Sequence, residues 1–91
     1  MKDIDELRKE LDAIDDKILE LLKQRFDLII QIAEYKKINN IPMMQPMRVE
    51  FVLEKAKKLA REYGLSETYV TELYKIIIDE ACRMEDEIIG N

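Results

Sequence analysis

From Ile4 onward, apolar side chains recur at Ile4, Leu7, Leu11, Ile14, Ile18, Leu21, Leu28, Ile32 and Tyr35, mostly in alternating steps of three and four. That spacing keeps them on one face of an α-helix, which the sequence can continue to about Ile38. Asp3, followed three residues later by Glu6, has the form of a capping box, and Asn39-Asn40-Ile41-Pro42 supplies the stop. Pro46 suits the first turn of a second helix over about 47–63, which Gly64 closes. Its apolar stripe is Val49, Val52, Leu53, Ala56, Leu59, Ala60 and Tyr63, and Ser66 then caps a third helix running to about Ile89. The expected fold class is all-α, with three helices over about 3–38, 47–63 and 66–89 in a single domain spanning 1–91.

The first helix is long for so short a chain. Some 35 residues make a rod on the order of 50 Å, whereas a compact chain of 91 residues has a radius of gyration of about 12 Å. The overhang would expose Leu and Ile unless something covered it, most economically a second copy. A helical homodimer is therefore expected from length and pattern alone, before any intertwining of its helices is considered.

Composition narrows the chemistry. A net charge of −5 and a pI near 4.8 argue against a nucleic-acid binder, which needs a basic face to displace counterions from phosphates. There is no His, and Cys82 is the single cysteine, so the usual zinc-ligand sets and His-activated nucleophiles are missing and no internal disulfide forms. No apolar run approaches the roughly 20 residues of a membrane span, and Met1-Lys2-Asp3-Ile4-Asp5 has no signal-peptide core. The cytoplasm is the expected compartment, with no metal, cofactor, membrane or nucleic-acid partner.

Several residues break the pattern. Extending Ile4, Leu11, Ile18 and Ile32 by sevens puts Arg25 where an aliphatic side chain belongs. It either meets a buried carboxylate, sets register, or serves a buried anion site. Lys36 follows eleven residues later on nearly the same face, about 16 Å along the axis, within the combined reach of two long side chains. Arg8 lies about 25 Å from Arg25 along the helix, so only a second copy could bring it to the same ligand. Arg48, in the first turn of helix two, opposes the helix dipole, a penalty that a bound anion would offset. Glu85 has Ile78, Ala81, Ile88 and Ile89 around it at helical spacing. Burial there favours its neutral form and pairing with Lys36 or an Arg favours the ionised one, an interior salt bridge to Arg25 being the plain alternative to a functional acid. Cys82, Met43, Met44, Met47, Met84, Tyr69 and Tyr74 are expected to fill space.

Leu7-Arg8, Ile14-Asp15, Leu21-Leu22, Arg25, Lys36, Pro42, Pro46, Arg48, Gly64-Leu65 and Ile77-Ile78 together resemble the all-helical chorismate mutase family, over nearly the whole chain. The resemblance implies three helices per subunit interlocked in a dimer with two equivalent sites, each completed by Arg8 of the partner subunit. It implies that this Arg8 and Arg25 grip two substrate carboxylates, and that Lys36 donates to the ether oxygen and a carboxylate while Arg48 helps to order the site. It further implies that Glu85 stands where many members carry Gln, and that Gln45, Val49 and Ala81 border the substrate. The reaction would be the cofactor-free Claisen rearrangement of chorismate to prephenate, supplying phenylalanine and tyrosine synthesis.

Two departures bear on the substrate. The acid that often follows the Arg of helix two is Val49 here, and Gln45 occupies a loop position often held by Asp. The runs Pro42-Met43-Met44-Gln45-Pro46 with Arg48-Val49, and Cys82-Arg83-Met84-Glu85-Asp86, are also similar to 4-amino-4-deoxychorismate mutases, and isochorismate-pyruvate lyases share an Arg-Val pair. Those two activities, and a non-catalytic helical dimerisation or regulatory module, are the competing expectations. If Glu85 must be neutral to donate, activity falls as pH rises.

Overall fold

Helix α1 spans Ile4–Ile38, α2 Pro46–Tyr63 and α3 Glu67–Ile89 in a computed structural model that describes residues 1–90. Each boundary has a local cause. Asp3 Oδ1 accepts from the Glu6 amide at 2.9 Å, satisfying one of the unpaired N–H groups at the start of α1. At its other end Asn40 takes φ 54°, a left-handed conformation that Asn tolerates, and the Ile41 amide reaches back to the Lys36 carbonyl at 2.9 Å. Pro46 opens α2 where its missing N–H removes nothing. Gly64, at φ 70°, closes that helix with a Schellman turn: its amide donates to Arg61 O at 3.2 Å and the Leu65 amide to Ala60 O at 2.8 Å. Ser66 Oγ accepts from the Tyr69 amide at 3.2 Å and starts α3.

Helix α3 is the common neighbour, packing against both α1 and α2, which do not pack on each other. Lys36 meets Glu85 near the C-terminal ends of α1 and α3, and Arg25 and Ile78 share a pocket nearer their N-termini, so these two helices run the same way. Helix α2 runs back between their levels. Its first turn lies at the pocket, and its Ala56 and Ala60 pack on Val70 near the start of α3, with Tyr74 against them.

That small cluster is most of the interior. Ala33 and Ala81 are also buried, but no large side chain among the described residues is fully buried. The radius of gyration is 16.6 Å and the longest extent 57 Å, well beyond the roughly 12 Å radius of a compact chain this size. The α1 stripe stays uncovered within one chain, with Leu11 56% and Leu21 62% exposed.

The expected space-fillers divide. Tyr74 packs as expected, whereas Met47 and Tyr69, and with them Tyr63 of the α2 stripe, are exposed, at 85%, 64% and 75%. They satisfy the helical spacing, but within one chain no neighbouring helix lies over their side of α2 and α3. Among the described residues, no helix is long and apolar enough to cross a membrane.

Candidate active site

All three helices and the loop before α2 contribute to one pocket. From α1 come Arg25, Ile29, Ile32 and Lys36, whose steps of four, three and four keep them on one face. The loop and the first turns of α2 add Met43, Met44, Gln45, Arg48, Val49 and Val52, and α3 adds Ile78, Ala81, Cys82 and Glu85. Seven residues expected at a site, namely Arg25, Lys36, Gln45, Arg48, Val49, Ala81 and Glu85, thus line a single pocket. Arg8 does not: it lies on the exposed N-terminal half of α1, far from the pocket of its own chain.

Lys36 is the hub. Its Nζ donates to Glu85 Oε1 at 2.8 Å and to the Met43 carbonyl at 2.8 Å. An ammonium has three protons, so one donor is left for the pocket. The pair is largely withdrawn from water, with side chains 14% and 9% exposed, and Glu85 is the one buried charged residue among those described. The interior salt bridge of Glu85 is therefore made with Lys36 and not with Arg25. Lys36 reaches across from α1 to α3 because the two helices run side by side at this level.

Arg25 Nη1 is buried with no hydrogen-bond partner. A guanidinium nitrogen left unpaired and dry is costly, and the cost disappears when an anion accepts from it. Arg48 is exposed and lies over the Phe51 ring, 5.2 Å from its centroid. Gln45 Nε2 donates to the Pro42 carbonyl at 2.9 Å, which leaves its side-chain oxygen as an acceptor. Val49 brings no charge to the lining.

Two contributors were not legible as such. The Met43 carbonyl is a backbone group whose position depends on the loop, and no sequence pattern signals it. Cys82 read as packing, yet it lines the pocket three residues before Glu85, a spacing that places both on one face. Burial chiefly, then the negative charges of Glu85, Asp79 and Asp86, push its thiol above the ordinary range, against a smaller opposing effect of Lys36. It is a poor nucleophile, in keeping with its sequence reading.

The arrangement suits a small anionic ligand: Arg25, Lys36 and Arg48 supply positive charge on an otherwise mostly apolar wall. Comparison with known proteins agrees. Residues 7–86 match the family model for chorismate mutase type II. Over 88 residues the chain is 42% identical to a 4-amino-4-deoxychorismate mutase of Streptomyces venezuelae, covering 97% of this chain and 85% of that protein. A 4-amino-4-deoxychorismate mutase of Streptomyces pristinaespiralis is 40% identical over 88 residues, 97% of this chain and 68% of its own. A chorismate mutase of Methanocaldococcus jannaschii is 34% identical over 74 residues, 81% of this chain and 75% of its own.

Proposed function

Because the chain belongs to the chorismate mutase type II family, we propose that its pocket catalyses the rearrangement of chorismate to prephenate within a homodimer, each site completed by Arg8 of the partner subunit. One observation carries the site assignment: a part-buried Lys36 ammonium, anchored by Glu85 and the Met43 carbonyl, lies in a pocket that Arg25, with a nitrogen that has no acceptor, also lines. The uncovered α1 stripe supports the dimer, and the distance of Arg8 from its own pocket supports the sharing of sites. The family membership favours the enzyme over the non-catalytic module. A single catalytic domain, a cytoplasmic location and a place in phenylalanine and tyrosine synthesis belong to the same reading.

The rearrangement breaks a carbon–oxygen bond and forms a carbon–carbon bond in one pericyclic step, so it requires no nucleophile or cofactor. Arg25 and Arg8 of the partner subunit hold the two carboxylates, folding the enolpyruvyl arm over the ring. The third Lys36 proton then faces the ether oxygen, which becomes negative as its bond to the ring breaks. Glu85 keeps the ammonium in place. Arg48 orders the carboxylate end, while Gln45, Val49 and Ala81 border the ring. An acceleration of about a millionfold corresponds to roughly 8 kcal/mol of barrier reduction, shared between restraint and electrostatics.

A second reading has specific support. With Val49 in place of an acid and the Gln45 amide nitrogen held by Pro42, the Gln45 oxygen is the acceptor at that end of the pocket, which suits an amino substituent on the ring. The two Streptomyces relatives point the same way. A side-by-side assay with chorismate, 4-amino-4-deoxychorismate and isochorismate, with products resolved by chromatography, decides the substrate. Efficient prephenate formation supports the main reading, preference for the amino compound the second, and pyruvate release the lyase. Silence on all three refutes the enzymatic assignment of the pocket.

A further inference from the structure

A second cavity adjoins the first, lined in part by Arg25, Arg48, Phe51, Lys55 and Tyr74, and among the described residues no carboxylate lines it. Arg25, Arg48 and Val52 border both cavities, and the two arginines give the wall between them its charge. Three cations around one hollow repel each other, and among the described residues Lys55 has no ion pair. We infer that Asp15 of the partner subunit seats in this second cavity, against Lys55 and the charged wall of Arg25 and Arg48, and acts as a positioning residue for Arg25. The inference rests on the homodimer proposed above.

Helical geometry selects this residue. On α1 the first cavity extends from Arg25 to Lys36 but the second touches only Arg25; on α2 the second extends onward to Leu59; on α3 it is reached from Tyr74, before Ile78. All three helices place the second cavity nearer the N-terminal end of α1, by about 8 Å at 1.5 Å per residue. A partner helix whose Arg8 reaches the level of residues 25–36 must run antiparallel to α1, so its later residues advance in that same direction. Asp15 lies seven residues beyond Arg8 on nearly the same face, a displacement of about 10 Å. With Arg8 of the partner subunit at the first cavity, Asp15 of the partner subunit falls at the second.

Asp12 is turned about 60° from Asp15 and farther from the apolar stripe, and Asp15 is exposed, with no ion pair among the described residues of its own chain. Its carboxylate supplies the acceptor the hollow lacks. It holds one edge of the Arg25 guanidinium, so that the remaining N–H groups stay directed at the substrate.

The test uses the full chain, sedimentation velocity and steady-state kinetics with whichever substrate turns over. Asp15→Asn is expected to remain dimeric and to raise KM about tenfold, with kcat within about twofold of the unmodified enzyme; Asp15→Glu should recover most of the loss. Asp15→Lys and Lys55→Asp should each be impaired, and the double reversal should exceed both in kcat/KM, which a merely structural role would not produce. A dimeric Asp15→Asn with unchanged KM, or a double reversal no better than its parents, overturns the inference and leaves the dimer standing. An unmodified protein that is active as a monomer overturns the dimer and the inference together.

Discussion

Replacing Glu85 by Leu would leave the part-buried Lys36 ammonium with the Met43 carbonyl as its sole acceptor among the described residues. The pair is 14% and 9% exposed, which puts it in the regime where removing one partner costs about 3–5 kcal/mol, because a charge remains without compensation. The surviving 2.8 Å bond to Met43 O favours the lower end of that range. At about 4–8 °C per kcal/mol for a chain this size, 3 kcal/mol lowers the melting midpoint by roughly 12–24 °C. Removing both charges, as Lys36→Met with Glu85→Leu, should return stability to within about 1 kcal/mol of the unmodified protein while abolishing turnover. Calorimetry and urea unfolding at fixed protein concentration, with an activity assay alongside, measure all three. A Glu85→Leu cost below about 1 kcal/mol, the range of exposed pairs, would refute the description of a desolvated pair. A double variant as unstable as the single would show that lost packing, not stranded charge, was responsible.

Arg25→Ala should raise KM and lower kcat together, whereas Lys36→Ala should act chiefly on kcat by about a hundredfold or more, and normal kinetics in either would remove that residue from the site. With its thiol pushed up by burial and neighbouring carboxylates, Cys82 should alkylate more slowly than a free thiol at neutral pH. Its rate should climb only above the ordinary thiol range, and a bound dicarboxylate should slow it further, since Cys82 lines the pocket.

The helices were legible because their signals are local. The stripe from Ile4 to Tyr35, Asp3 and Ser66 at the N-caps and Gly64 at a left-handed position each act within a turn or two of chain. The polar site residues were legible for a different reason: a charge on an apolar face, such as Arg25 or Glu85, needs a partner, and the pattern exposes the mismatch. Which partner it finds is not local. Whether Glu85 meets Arg25 or Lys36 depends on how far α3 lies along α1, and the sequence leaves that sliding distance open. The Met43 carbonyl depends likewise on the path of the loop, and the exposure of Met47 and Tyr69 on which faces of α2 and α3 receive a neighbour.

The thin interior has a thermodynamic consequence. A chain whose buried apolar residues, among those described, are four alanines and one valine gains little from folding alone. If the uncovered stripe is enclosed only on association, folding and assembly become one bimolecular event governed by mass action. Each tenfold dilution then removes about 1.4 kcal/mol from the free energy favouring the folded pair. The melting midpoint should drift downward as the protein is diluted, and the abundance of the chain would help to set its persistence.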